Sequence, residues 1–413
     1  MLLKNKLVIA CLLIITTGMI SCSTTEQIPD PEIKPLPEQS QKTIRAQNNF
    51  AFKIFNLINQ NNQNGKNKLI SPLSIYMDLS MVYNGANHQT KKDIQKALQL
   101  NKIDTGLLNK TNAILLHNLP QEDTAVNIDI ANAIWYRKSL TPLSSFLKIN
   151  KNYYKATIKA SPFNQSTVDE INNWVKDKTH HKIKSIIKEI QPSDLTFLLN
   201  AVYFKGDWTH QFDQDQTKKR TFHTKNQEEL QVPFMYKKAK ISYFENNDLQ
   251  VAQLPYGSGE FNMFVLLPKE GKNVVSTFNH LNASAFSTLT SKVRSTEVKL
   301  YLPKWESEYK IDLNAVLSQM GMASAFSKSA DFSNMYKGED VQISEVKHKT
   351  YIKVDESGTE AAAVTSTGMT TTSAPMNPPS IPIMDVNHPF IYLITEKDSG
   401  SILFLGIVNN PKQ

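Results

Sequence analysis

The groups most able to do chemistry in this chain are its serines, histidines and carboxylates, and their spacing assembles no reaction centre. Ser258 lies in Tyr256-Gly257-Ser258-Gly259, which lacks the full nucleophile-elbow spacing and reads as a turn between strands. His180 and His181 adjoin in a lysine-rich segment with no Cys or carboxylate at metal-ligand spacing, so they read as a solvated pair. No phosphate loop, dinucleotide fingerprint or HExxH motif is present. The chain therefore lacks the equipment of a hydrolase or cofactor enzyme, and no cofactor or metal is expected. What stands out instead is a stretch, Val354 to Pro379, reading VDESGTEAAAVTSTGMTTTSAPMNPP. Loops of about 20 residues without structure of their own are uncommon in compact domains and are usually functional or disordered. Its first half is small and β-branched, with no charge after Glu360, and could lie in a sheet if a slot were offered. It is a candidate movable strand.

Such a strand needs a large scaffold, and the composition supplies one. With 413 residues and 40% hydrophobic content the chain can bury a sizeable core. Charged residues are 20% and well mixed, which excludes wholesale disorder. The net charge of +8 comes from dispersed lysines rather than an arginine stripe, so the excess is solvated surface and nucleic acid is not an expected partner.

The N-terminus reads as a targeting segment. Lys4 and Lys6 precede the apolar run Leu7 to Ile20, too short for a comfortable membrane span. Met19-Ile20-Ser21-Cys22 resembles a bacterial lipobox, which implies a signal peptide over 1–21 and a lipid anchor on Cys22. An ordinary secretory peptide cut nearby is the alternative, and either way the chain is exported. Cys11 and Cys22 are the only cysteines, so the mature fold has no disulfide. From 22 to 43 the run is polar, with Pro29, Pro31, Pro35 and Pro37, and reads as an extended spacer.

The folded domain is placed at 44–413. Phe50, Phe52, Phe55, Leu57 and Ile58 have helical spacing. Ser71-Pro72-Leu73-Ser74-Ile75 reads as a strand end turning into a helix cap. Ile128 to Tyr136 alternates as a strand, and Val168 to Trp174 is helical. Leu195 to Trp208 is apolar almost throughout, as in a strand buried on both faces. Val251–Tyr256, Phe261–Pro268, Val298–Pro303, Gln342–Val354, Phe390–Thr395 and Ile402–Val408 read as strands, and Leu313 to Phe326 as a helix. With no internal repeat or linker, one mixed α+β domain is expected.

These pieces, taken in order, resemble the serpin family over nearly all of 44–413. Ser71-Pro72-Leu73-Ser74-Ile75 is similar to its SPxSI motif, Gly85-Ala86 with Thr90 to GAxxxT, and Asn200 with Phe204-Lys205-Gly206-Asp207-Trp208 to N-x-x-x-F-K-G-x-W. Leu254-Pro255-Tyr256, Leu302-Pro303-Lys304, Gly321-Met322, Asp331-Phe332-Ser333 and His348 follow. Glu356-Ser357-Gly358-Thr359-Glu360-Ala361-Ala362-Ala363, His388-Pro389-Phe390 and Leu403-Phe404-Leu405-Gly406 complete the set.

The resemblance implies three β-sheets, eight or nine helices and an exposed reactive-centre loop. It also implies inhibition of serine proteases, and of cysteine proteases in some members, by a monomer rather than an enzyme. The protease attacks the loop and is held as an acyl-enzyme while the cut loop inserts into the central sheet, an established case of strand addition and switching. By the same resemblance Glu356, Gly358, Thr359, Glu360, Ala361, Ala362 and Ala363 form the hinge. Ser71, Ser74, Asn200 and His348 form the shutter beneath the sheet, and Trp208, Lys304 and Glu356 the breach where insertion starts, with Lys304 and Glu356 as an ion pair. Independently, Thr359, Ala361, Ala363 and Thr365 share one face by period-two counting and are all small.

Family spacing puts the reactive bond between Thr372 and Ser373, with Met369-Thr370 as rival, because Ser373 to Pro389 is longer than in many members. Met suits elastase-, chymotrypsin- or subtilisin-like pockets and Thr only small ones. No Arg or Lys lies between Lys353 and Lys397, which disfavours trypsin-like targets. The membrane is a partner only through the anchor. A non-inhibitory serpin and a surface lipoprotein that binds glycans or peptides are the alternative readings.

Overall fold

A computed structural model describes residues 33–61, 65–338, 341–359 and 380–413. In chain order its first half holds α1 (Ser40–Asn61), β1 (Lys68–Ile70), α2 (Pro72–Gly85), α3 (His88–Ala97), α4 (Thr105–Asn118), β2 (Val126–Arg137), α5 (Ser144–Tyr154), β3 (Thr157–Ser161) and α6 (Gln165–Lys178). Then come β4 (Thr196–Asp207), β5 (Lys218–His223), β6 (Glu229–Glu245), β7 (Leu249–Tyr256), β8 (Phe261–Pro268), α7 (Val274–Asn279) and α8 (Ala283–Thr290). The remainder is β9 (Arg294–Pro303), β10 (Trp305–Asp312), α9 (Asn314–Leu317), β11 (Glu345–Val354), β12 (Gly358–Thr359), β13 (Ile383–Asp385), β14 (Phe390–Glu396) and β15 (Ile402–Val408).

Hydrogen bonding makes a six-stranded sheet in the order β10-β11-β12-β4-β2-β3 and a nine-stranded assembly, β1-β15-β14-β8-β7-β6-β9-β13 with β5 on β6. Strand β6 serves two sets of neighbours, β9 along Phe234–Tyr243 and β7 along Ser242–Glu245. The assembly thus divides there into two sheets, giving three in all, with nine α-helices among the described residues. This is the expected α+β fold.

Strand β4 is buried on both faces, as its unbroken apolar run predicts. Leu198, Val202 and Phe204 point into the main core, whereas Phe197, Leu199 and Ala201 join Val168, Ile171 and Val175 of α6 in a second, outer core. Helix α2 lies beneath the sheet with every residue buried, and Pro72 at its first turn is free of the need for an N–H partner there.

Three boundaries differ from the sequence reading. The described residues begin at Ile33, inside the segment read as spacer, and are packed there: Lys34 N–H donates to Asn118 Oδ1 and its carbonyl accepts from Asn118 Nδ2 at 3.0 and 2.8 Å. Helix α1 starts at Ser40, whose hydroxyl accepts from Thr111 of α4, so packing rather than apolar periodicity sets that end. The Leu313–Phe326 segment is one α-helical turn followed by a π and a 3-10 turn, because Gly321 adopts φ 107°. None of the described helices is long and apolar enough to cross a membrane.

Candidate functional site

The site lies where β11 and β4 part. These parallel strands pair directly from Glu345–Thr350 against Phe197–Val202. Beyond that point Gly358–Thr359 is wedged between them, Val354 opposite Thr359 on one side and Asp207 and Gly206 opposite Gly358 and Thr359 on the other. The chain reaches this slot by a tight turn: Asp355 and Gly358 exchange backbone hydrogen bonds of 2.9 and 3.2 Å, and Ser357 N–H donates to Asp355 Oδ1 at 3.1 Å. Only glycine fits at 358. Its φ is 153°, and a Cβ there would stand 2.1 Å from Gly206 O and 2.7 Å from Asp207 Cα.

The turn is gripped from three sides. Trp208 Nε1–H donates to Asp355 O at 3.0 Å and Trp208 N–H to Ser357 O at 2.9 Å, while Phe212 N–H donates to Glu356 O at 2.8 Å. The Trp208 indole stacks on Tyr256 with centroids 4.4 Å apart, and Tyr256 Oη lies 2.7 Å from Oγ1 of the fully buried Thr359. Lys304 Nζ donates to Glu356 Oε2 at 2.6 Å, and Thr217 Oγ1 to Oε1 at 2.7 Å. Burial works against the Glu356 carboxylate, but these two hydrogen bonds, a backbone hydrogen bond and the Lys304 charge together outweigh it and hold its pKa below the usual value.

Further along the β11–β4 junction the strands are pinned from below. His348 of β11 stands opposite Asn200 of β4. Ser71 N–H donates to His348 Nε2 at 3.0 Å; a backbone N–H can only donate, so the ring proton sits on Nδ1 and goes to Asn200 Oδ1 at 2.9 Å. Asn200 Nδ2 then donates to Ser74 Oγ and, at 2.6 Å, to Asn132 Oδ1 on β2. Complete burial lowers the His348 pKa to about 3, so the neutral tautomer persists.

Ser71, Ser74, Asn200 and His348 are thus brought together, as are Trp208, Lys304 and Glu356, with Gly358 and Thr359 in the slot between. Ser71 takes part through its amide, since its buried hydroxyl has no partner among the described residues. Asn132 and Thr217 were not singled out from the sequence. Asn132 carried a signal, a polar residue in the alternation between Ile130 and Ile134. Hinge residues Glu360, Ala361, Ala362 and Ala363, the bonds Thr372-Ser373 and Met369-Thr370, and Cys22 lie outside the described residues.

The groups first weighed for catalysis serve the scaffold. Ser258 sits in the β7–β8 turn with its amide and hydroxyl on Asp123 Oδ2, at 2.6 and 2.8 Å. His180 meets a carboxylate distant in sequence, Asp129 of β2, at 2.8 Å and lies tilted against the Tyr203 ring. Among the described residues no three His, Cys, Asp or Glu side chains converge as for a metal.

The family described as serpin (serine protease inhibitor) matches residues 45–411. The chain belongs to the serpin family. It is 34% identical to a serpin-like protein of Thermococcus kodakarensis over 93% of this chain and 90% of that one. Against serpin B8 of Bos taurus the identity is 33%, covering 89% and 98%. Its fold is similar to the native-state crystal structure of the thermophilic serpin tengpin, with a TM-score of 0.83 and 33% identity over 92% of this chain and 96% of that one. A second similar structure is human thyroxine-binding globulin in its complex with thyroxine, with a TM-score of 0.83 and 28% identity over 91% and 100%. Serpins are for the most part protease inhibitors rather than enzymes.

Proposed function

We propose that this serpin inhibits serine endopeptidases as a suicide substrate, holding the protease as an acyl-enzyme while its cut loop enters the central sheet. The observation that carries this reading is Gly358–Thr359 seated between β11 and β4 at the point where they part. Thr359 stands opposite Gly206 of β4 and Val354 of β11, antiparallel to both strands. A strand continued in that register sets Thr365 opposite both Asn200 and His348, the pair whose hydrogen bond closes the junction. Each of roughly a dozen inserted residues would add ladder bonds worth about 1 kcal/mol net. That sum is large enough to distort a bound protease.

Cleavage at Thr372-Ser373 or Met369-Thr370 favours elastase-, chymotrypsin- or subtilisin-like enzymes over trypsin-like ones, with cysteine proteases as an extension. Export and a lipid on Cys22 would present the inhibitor, as a monomer, at the cell envelope or surface. A non-inhibitory binding serpin is the second reading, favoured by the likeness to thyroxine-binding globulin. Incubation with elastase, subtilisin and trypsin decides between them. An SDS-resistant covalent band with the first two is expected, whereas cleavage of the loop with no trapped protease would overturn inhibition.

A further inference from the structure

The outer face of the β5-β6-β9-β13 sheet sets two like charges against each other. Period-two alternation places Tyr236, Lys238 and Lys240 of β6 on one face with their β9 partners Tyr301, Lys299 and Glu297. Lys238 and Lys299 stand directly opposite each other, and like charges so placed destabilise a sheet. Relief is slight: Lys238 meets Glu297 at 3.6 Å, but both side chains are about half exposed and solvent screens the pair. Lys240 stands opposite Glu297 in register, but among the described residues neither it nor Lys299 forms an ion pair. On the β13 side Ile383 stands beside Lys299 and is 55% exposed. The face is held stiff by Arg220, which lies 4.1 Å from the Tyr301 ring and pairs with Asp385, and by Tyr236 against Tyr301 at 4.8 Å.

This face adjoins the bait in the chain, since Ile383 comes ten positions after Ser373. A basic, stiff surface with an apolar flank complements an acidic surface on whatever protein approaches that segment. We infer that Lys238, Lys240, Lys299 and Ile383 form a docking face for an acidic patch beside the active site of the target protease, an inference that rests on the inhibitor reading above. Opposed lysines there cost sheet stability and raise the rate of encounter with an anionic enzyme.

The test uses a subtilisin-like protease of net negative charge, and the same enzyme with its nucleophilic serine replaced by alanine. Association rate with the active enzyme and equilibrium binding to the alanine form are measured for the wild type and for K238E/K299E, at low and at high salt. Charge reversal is expected to lower both about tenfold at low salt, with the gap closing as salt screens it, and to leave inhibition stoichiometry unchanged. A positively charged protease should show no fall. Binding that ignores the reversal, or a wild type that does not bind the alanine form, overturns the docking face. If the alanine form binds in a charge-dependent way but the active enzyme is never trapped, the docking face stands and the inhibitor reading falls.

Discussion

The junction between β11 and β4 is two regions in opposite states. From Glu345 to Thr350 it is closed by direct pairing and pinned by the His348–Asn200 hydrogen bond. Above Thr350 it is parted, and Gly358–Thr359 fills the gap as a two-residue strand. Each state has a local cause. The parted end is held by a glycine with no Cβ to collide with Gly206 and by an aromatic and ionic grip on the turn. At the closed end the hydrogen bond between His348 and Asn200 can be made only while the strands touch. On the proposed insertion, opening would start at the parted end, where Gly358–Thr359 is already seated as a wedge, and the buried cluster around His348 would act as the lock that resists its spread.

Several substitutions separate wedge from lock. The largest effect is expected of Gly358→Ala, which drives a methyl into the β4 backbone at a φ only glycine adopts comfortably. It should expel the turn and cost about 3 kcal/mol, read as a fall in the urea midpoint, with a matching loss of inhibition. A wild-type midpoint in this variant would mean the wedge is not held as described.

Next comes His348→Ala, which strands the Ser71 amide and the Asn200 amide oxygen in the core and should cost about 2–3 kcal/mol. The same residue gives a pH signature. In the unfolded chain its ordinary value is 6.5 and in the fold about 3, so below pH 6.5 the unfolded state binds more protons. Its stability contribution is therefore complete above pH 6.5 and declines as pH falls toward 3, by up to about 1.4 kcal/mol per pH unit. Urea titrations at pH 7, 6, 5 and 4 should show that slope in the wild type and a shallower one in the variant.

A smaller loss, about 1 kcal/mol, is expected from Lys304→Ala, because Lys304 is a third exposed while Glu356 is buried. The Glu356 pKa is held below its usual value, so this contribution is present above about pH 4.5 and lost as pH falls through the folded value. Smallest of all is Ser71→Ala, expected within about 0.5 kcal/mol because the hydroxyl has no partner and the amide does the bonding. A large Ser71→Ala effect would show that the lock works through that hydroxyl instead.

Much of this comparison was legible in the sequence, for physical reasons. The doubly buried β4 announced itself as an apolar run, and the lock and grip residues fell on motifs whose order pointed to one family. Of the residues expected to form the hinge, Glu356, Gly358 and Thr359 lie among the described residues, where Gly358–Thr359 fills the gap. What escaped depends on partners far away in sequence. Asn132 meets Asn200 across 68 positions and Thr217 meets Glu356 across 139, contacts that no local pattern encodes. Strand β10 was missed although Trp305, Ser307, Tyr309 and Ile311 alternate with charged residues, a period-two signal that was there to be read. Ser71 was placed correctly, but which of its atoms does the bonding is a matter of geometry alone.

If the proposed insertion operates, the parted end is where a strand enters that the chain can complete. The melting temperature of the protein before and after a protease cuts the chain between Thr359 and Ser380 tests this. With roughly a dozen residues newly paired, a rise of about 20 °C or more is expected. An unchanged or lower melting temperature in the cut protein would contradict the claim.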